Sequence, residues 1–135
     1  MRQLRVVALT GRIINLSYRA AFAGQMYEEQ WMTAWIEVCS AGAIDEEDVM
    51  RFDYGGKTFA VYRAPDDQYF ATDGLCTHEQ VHLADGLVMN NIIECPKHNG
   101  RFDYRTGAAK GAPVCVDLKT YPVKVEAGKV FINLG

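Results

Sequence analysis

The chain has 135 residues, of which 49% are hydrophobic, and its formal net charge is −3. This length suits a single domain with a hydrophobic core and is too short for a cofactor domain followed by a catalytic domain. No apolar run approaches the roughly 18 residues of a membrane-spanning helix, so we expect a soluble protein. The first 25 residues contain four arginines and no acid. The rest of the chain is therefore acidic, which argues against nucleic-acid binding.

Residues 1–31 are predicted to be an N-terminal extension outside the core, and residues 32–135 the folded domain. The extension lacks strand periodicity and has no acidic residue before Glu28. Three interpretations fit it: a transit-like peptide, an amphipathic surface helix, or an upstream stretch included by an early start codon. The last is favoured because the segment from Met32 to Trp35 resembles a natural beginning for a β domain.

Short strand patterns separated by turn residues follow along the rest of the chain. The predicted strands are residues 35–38, 49–54, 58–63, 68–72, 87–89 and 92–94, followed by a closing hairpin with alternating Tyr121, Val123 and Val125 and then Val130, Ile132 and Leu134. The pairs Gly55-Gly56 and Asn90-Asn91 are typical of two-residue hairpin turns. Many short strands with this punctuation predict an all-β fold, either an antiparallel β-sandwich or a small barrel.

Four of the seven Cys and His residues fall into two short motifs, at residues 76–78 and 95–98. A Rieske centre places two thiolates on one iron and two imidazoles on the other, so paired Cys-X-His and Cys-X-X-His motifs suit it. The spacing therefore predicts one [2Fe-2S] cluster per chain, bound by Cys76, His78, Cys95 and His98. The other two cysteines, Cys39 and Cys115, are predicted to be buried thiols in a protein of the reducing cytoplasm.

Two kinds of zinc site are alternative interpretations of this part of the sequence. Two thiolates and two imidazoles can form a structural zinc site. The first motif also begins the string His78-Glu79-Gln80-Val81-His82, which matches the signature of zinc-dependent hydrolases. That signature binds zinc only on a helix, whereas here it lies between predicted strands, and it leaves three other candidate ligands unexplained. We therefore expect His82 to be a surface loop residue.

Residues 35–134 resemble a Rieske-type ferredoxin, the small electron carrier of bacterial multicomponent oxygenases, and most of all the ferredoxins of the rhizopine-catabolism group. The resemblance covers both ligand motifs, the turn at Arg105-Thr106-Gly107, Ala112-Pro113 and the C-terminal strands. It implies a Rieske-type iron-sulfur fold with two cluster-binding loops at one end. It also implies that Cys76 and Cys95 hold an inner iron, while His78 and His98 hold an outer iron near the surface.

The resemblance implies a one-electron carrier rather than an enzyme. Its partners would be an NAD(P)H-dependent flavin reductase, which supplies the electron, and a terminal oxygenase of a catabolic pathway, which accepts it. Exposed loop residues would frame the docking surface or simply be solvated: Glu79, Gln80, Lys97 and Asn99. One alternative is a small Rieske subunit of a reductase or oxygenase complex. A catalytic oxygenase subunit would need a second iron site of two His and one carboxylate, and only His82 is left over.

Departures from the respiratory Rieske pattern predict a low reduction potential. In that pattern each ligand loop has an extra Cys, and the two form a disulfide. Here Val81 and Lys97 stand at those positions. Gly100 and Phe102 replace a Ser and a Tyr whose hydroxyls donate hydrogen bonds to sulfur. Fewer donors leave more negative charge on the cluster and disfavour the added electron.

Overall fold

The computed structural model describes residues 34–135, so the predicted extension at residues 1–31 lies outside the described residues. The strands are β1 (Trp35–Ser40), β2 (Asp48–Tyr54), β3 (Lys57–Arg63), β4 (Tyr69–Asp73), β5 (Leu87–Met89), β6 (Ile92–Glu94), β7 (Arg101–Asp103), β8 (Thr120–Tyr121), β9 (Val123–Glu126) and β10 (Lys129–Asn133). Short 3-10 helices occur at Ala41–Ala43 and Leu83–Asp85. No helix in this part of the chain is long and apolar enough to cross a membrane.

One compact unit combines the described residues up to Ala41 with Pro122–Gly135. Its three strands pair antiparallel in the order β1-β10-β9. Strand β10 is central, and its alternate residues Val130 and Ile132 are fully buried. The ammonium group of Lys124 lies 4.6 Å from the centre of the Trp35 ring, a cation–π contact.

The second compact unit, Gly42–Tyr121, contains both ligand motifs. It has a four-stranded sheet in the order β2-β3-β4-β8 and a three-stranded sheet in the order β5-β6-β7. All pairs are antiparallel. Both predicted hairpin turns are confirmed, because Gly55-Gly56 and Asn90-Asn91 all have the positive φ angles that such turns require.

The core of the second unit includes the two candidate cysteine ligands. Cys76 and Cys95 belong to the same buried cluster as Phe102, Tyr62 and Tyr104. The two tyrosine rings stack with centroids 4.5 Å apart. Such aromatic side chains bury large apolar areas, so the two candidate cysteine ligands belong to a packed hydrophobic core.

The predicted closing hairpin is wrong at its first residue. Tyr121 belongs to β8 and pairs with Ala71 of β4, whereas β9 starts at Val123 and pairs with β10. Pro122 separates the two strands, because its nitrogen has no hydrogen to donate to a ladder. The prediction of an all-β, antiparallel fold is confirmed.

Candidate metal centre

The first ligand loop, residues 76–81, is closed at its base by main-chain hydrogen bonds. The N–H of Cys76 donates to the carbonyl of Val81 at 3.0 Å, and the N–H of Leu83 donates to the carbonyl of Gly74 at 2.8 Å. These two bonds hold the ends of the loop together, as in a hairpin. The positions from which residues 76 and 78 project are therefore set by the base of the loop.

The second ligand loop, residues 95–100, joins β6 to β7. The N–H of Cys95 donates to the carbonyl of Gly100 at 2.6 Å. At the tip, His98 and Asn99 have φ angles of 65° and 58°, in the left-handed region. Asn and His enter this region more often than most residues, although it still disfavours any side chain with a Cβ. This tight reversal lets β7 pair directly with β6.

The structure places the four predicted ligands in two environments. The Cys76 and Cys95 side chains are buried and form no disulfide, whereas His78 and His98 are exposed. The centroids of the two imidazole rings lie 5.5 Å apart, with their planes at 70°. Two buried sulfur donors and two exposed nitrogen donors form the asymmetric set that a Rieske cluster requires. The residues present therefore fit a [2Fe-2S] cluster.

Each candidate sulfur accepts a main-chain N–H from the residue two positions later. The N–H of His78 lies 3.4 Å from Cys76 Sγ, and the N–H of Lys97 bonds to the Cys95 sulfur. Burial raises the pKa of the Cys95 thiol, and the neighbouring Cys76 adds to that rise. A thiol in such a site ionises readily only when a bound metal compensates the charge, so metal binding is coupled to proton release.

Glu79 belongs to the first ligand loop, and its carboxylate contacts the second loop on the exposed side. One carboxylate oxygen is 3.3 Å from Lys97 Nζ, and the other is 3.5 Å from His98 Nδ1. The possible ligand atoms of Glu79, His78 and His98 all lie within 4.8 Å of one another. The sequence predicted Glu79 only as a docking residue and gave no sign that its carboxylate spans the loops. Since the ion pair between Glu79 and Lys97 is exposed, we expect it to contribute at most about 1 kcal/mol to the free energy of unfolding.

The sequence model of the Rieske [2Fe-2S] domain matches residues 34–122. The chain belongs to the Rieske [2Fe-2S] family. It is 44% identical over 100 residues to the ferredoxin component of a naphthalene 1,2-dioxygenase system from Pseudomonas aeruginosa, an alignment covering 74% of this chain and 95% of that protein. A solved ferredoxin of Sphingomonas yanoikuyae B1 has a TM-score of 0.70 and 38% identity, with coverage of 75% of this chain and 99% of that one.

A second solved relative was determined as a complex of reduced oxygenase and oxidized ferredoxin in carbazole 1,9a-dioxygenase. The matching chain has a TM-score of 0.69 and 35% identity, and the alignment covers 72% of this chain and 99% of that one. The chain is therefore a Rieske protein of the kind that serves as the ferredoxin component of bacterial dioxygenase systems. The narrower resemblance to the rhizopine-catabolism group stays a prediction.

The second Rieske loop has an apolar neighbour at the position where the respiratory pattern has a serine hydroxyl. A Cβ added at Gly100 would stand 2.5 Å from a methyl carbon of Val114. The Val114 side chain is itself buried, and Phe102 is fully buried. The missing hydroxyls are thus replaced by packed apolar groups rather than by an open, hydrated space, in keeping with the predicted low potential.

The prediction that His82 is a surface loop residue is wrong, because His82 is only 7% exposed. Its Nε2 lies 2.8 Å from Thr58 Oγ1, and its Nδ1 accepts the N–H of Ala84 at 3.0 Å. The string from His78 to His82 is not helical, since residues 78–80 form bends and His82 forms an isolated β-bridge with Leu75. Both nitrogens of His82 are occupied by the protein, so the zinc-hydrolase geometry is absent from this loop.

Two cysteine predictions also need correction. Cys115 is exposed and Cys39 is only half-buried, so neither is the fully buried thiol that the sequence predicted. Burial still raises the pKa of the Cys39 thiol, and the carboxylate of Glu37 raises it further. The exposure of these cysteines could not be predicted from strand periodicity, because Cys115 lies outside the strands and the register of β1 shifts between Glu37 and Cys39.

Proposed function

We propose that this Rieske protein carries single electrons from an NAD(P)H-dependent flavin reductase to a terminal oxygenase in the cytoplasm, with one cluster bound by Cys76, Cys95, His78 and His98. The bound [2Fe-2S] cluster supplies the one-electron redox centre. The observation that carries the proposal is the division of the donors, with both sulfurs buried and both imidazoles exposed.

The exposed imidazoles give an electron a short route through the protein surface. His78 and His98 present their rings to solvent 5.5 Å apart, so a partner can come directly against the pair. Around them lie the acidic Glu79 and the basic Lys97. Such a small surface of mixed charge suits a weak, fast encounter, in which electrostatic steering sets the association rate more than the affinity.

The relatives support the oxygenase as a partner, and the chemistry of the electron supply supports the reductase. The naphthalene relative is named as one component of a dioxygenase system, and the carbazole relative was solved with its oxygenase. A ferredoxin that supplies an oxygenase must itself be reduced, and a flavin enzyme can divide the two electrons of NAD(P)H into single transfers. The resemblance to the rhizopine-catabolism group further suggests an oxygenase of a catabolic pathway, with a substrate that the genes beside this one would indicate.

The test of the ligand set is the EPR spectrum of the dithionite-reduced protein. We expect a mixed thiolate–imidazole spectrum in the wild type, because the two irons have different donors. His78→Cys should change the spectrum toward that of an all-thiolate cluster, or abolish it, and Cys95→Ser should abolish it. Cys115→Ser is the matched control, because it removes an exposed cysteine outside the proposed set.

Metal content and electron transfer complete the test. The purified wild type should contain two irons and two acid-labile sulfides per chain, and a ferredoxin reductase with NADH should reduce it in single-electron steps. Zinc in place of iron, or loss of the spectrum in Cys115→Ser but not in Cys95→Ser, would contradict the proposal.

A further inference from the structure

Both ring nitrogens of His82 bind residues that frame the first ligand loop. Nδ1 accepts the N–H of Ala84 and so caps the 3-10 helix Leu83–Asp85. Nε2 lies 2.8 Å from the hydroxyl of Thr58, near the start of β3. The ring therefore connects the end of the loop to a strand distant in sequence. A buried imidazole with two such partners costs little in desolvation, because its polar atoms are satisfied.

These partners fix the direction of every hydrogen bond in the network. Because the Ala84 N–H can only donate, Nδ1 carries no proton, and the proton of the neutral ring is on Nε2. Nε2–H then donates to Thr58, whose hydroxyl donates to Asp53 Oδ1 at 2.5 Å. The Nε of Arg51 in turn donates to the carboxylate of Asp53 at 3.1 Å. The network is directed throughout and needs a neutral imidazole.

The ring also packs against the main chain that leads into the loop. A Cβ added at Gly74 would stand 2.6 Å from Nε2, so the ring occupies the space beside that glycine. The N–H of Gly74 donates to the carbonyl of Thr58 at 3.0 Å, and Leu75 and His82 form an antiparallel bridge. The same imidazole therefore contacts the entry of the loop and lies at its exit.

We propose that His82 is a positioning residue for the redox centre: it fixes the base of the first ligand loop and thereby the placement of Cys76 and His78. The inference rests on the proposed function, since it concerns ligands assigned there. Removing the ring releases the exit of the loop from β3 and removes the cap of the 3-10 helix, while both ligands remain in the chain. We expect such a variant still to bind the cluster, but with the imidazole of His78 held less firmly.

Three variants separate the two bonds of His82. His82→Asn keeps an acceptor for the Ala84 N–H, because Asn is a good capping residue, but its side chain is too short to reach Thr58. Thr58→Val keeps the side-chain shape and removes the hydroxyl. His82→Ala removes both bonds. Thr120→Val is the matched control, a substitution of an exposed strand threonine in the same sheet.

The first measurement is the rate at which the cluster absorption is lost in excess chelator. One buried hydrogen bond corresponds to about a fivefold change, so we expect His82→Asn and Thr58→Val each to speed the loss about fivefold. His82→Ala should speed it about twentyfold. The double variant His82→Asn/Thr58→Val should lose its cluster no faster than Thr58→Val alone, because Thr58→Val already removes the His82–Thr58 bond, together with the bond from Thr58 to Asp53.

The second measurement is the EPR line shape and the midpoint potential, which a merely stabilising residue would not change. We expect His82→Ala to broaden the EPR spectrum and shift the potential, His82→Asn to restore both in part, and Thr120→Val to match the wild type. A His82→Ala protein with a lower melting temperature but an unchanged spectrum and potential would refute the positioning role, and so would multiplying effects in the double variant. A wild type without the mixed-ligand spectrum would instead refute the proposed function, and the role of His82 with it.

Discussion

The apolar contact between Gly100 and Val114 determines how the reduction potential can be raised. The wild-type potential should lie near the low end of the Rieske range, about −150 mV. Gly100→Ser alone should fail to raise it, because the new Cβ would overlap a buried Val114 methyl group. The double variant Gly100→Ser/Val114→Ala makes room for the hydroxyl. A hydrogen bond to a charged acceptor contributes about 1.5 kcal/mol, which for a one-electron couple corresponds to roughly +60 mV.

The matched control is Gly100→Ala/Val114→Ala, which adds the Cβ and removes the same methyl groups but supplies no hydroxyl. Protein-film voltammetry gives the potential of each variant, and EPR shows that the cluster is retained. If the serine hydroxyl raises the reduction potential through a hydrogen bond, the potential should rise in Gly100→Ser/Val114→Ala and should not rise in Gly100→Ala/Val114→Ala. Equal rises in both would show that the change in packing, not the hydrogen bond, sets the potential. A wild-type value well above zero would also refute the reasoning.

The other predictions concern the extension, a turn and the acid stability. A chain that begins at Met32 should bind its cluster fully and melt within a few degrees of the full chain if residues 1–31 lie outside the core, and a large drop in cluster content would contradict this. Gly107→Ala should destabilise the protein by about 2 kcal/mol or more and lower the melting temperature by roughly 10 °C, since φ is 84° there and a Cβ would overlap a neighbouring carbonyl. Gly42→Ala, in open space, should have little effect. Burial lowers the pKa of His82 below its ordinary value, so its contribution to stability is present above about pH 6.5 and lost as the pH falls through the folded pKa. Thermal melts of the apo-protein should show a shallower loss in acid for His82→Asn.

The local features of the fold could be predicted from the sequence because short-range chemistry determines them. Gly55-Gly56 and Asn90-Asn91 specify two-residue turns by the φ angles that they permit, and the structure has both hairpins. The division at Pro122 was missed because alternation of apolar residues continues across it. Only the pairing partners show that the strands before and after Pro122 belong to different sheets: β8 pairs with β4, and β9 pairs with β10.

In the candidate centre, too, the local features could be predicted from the sequence and the long-range contacts could not. The motif spacing alone selected Cys76, His78, Cys95 and His98, and the structure places both thiols in the core and both imidazoles on the surface. The burial of His82 was not predictable, since its partner Thr58 lies on another strand.

The left-handed turn at the tip of the second ligand loop restricts how this surface can evolve. Asn99 adopts a φ of 58°, which Gly, Asn and Asp accept and β-branched or bulky residues do not. The position beside the exposed His98 therefore cannot vary freely to suit a new partner. Specificity among oxygenases would have to change at neighbouring sites with ordinary backbone angles, such as Gln80 and Lys97. The tip of the second ligand loop would then stay the same in ferredoxins that serve different oxygenases, while the residues around it differ.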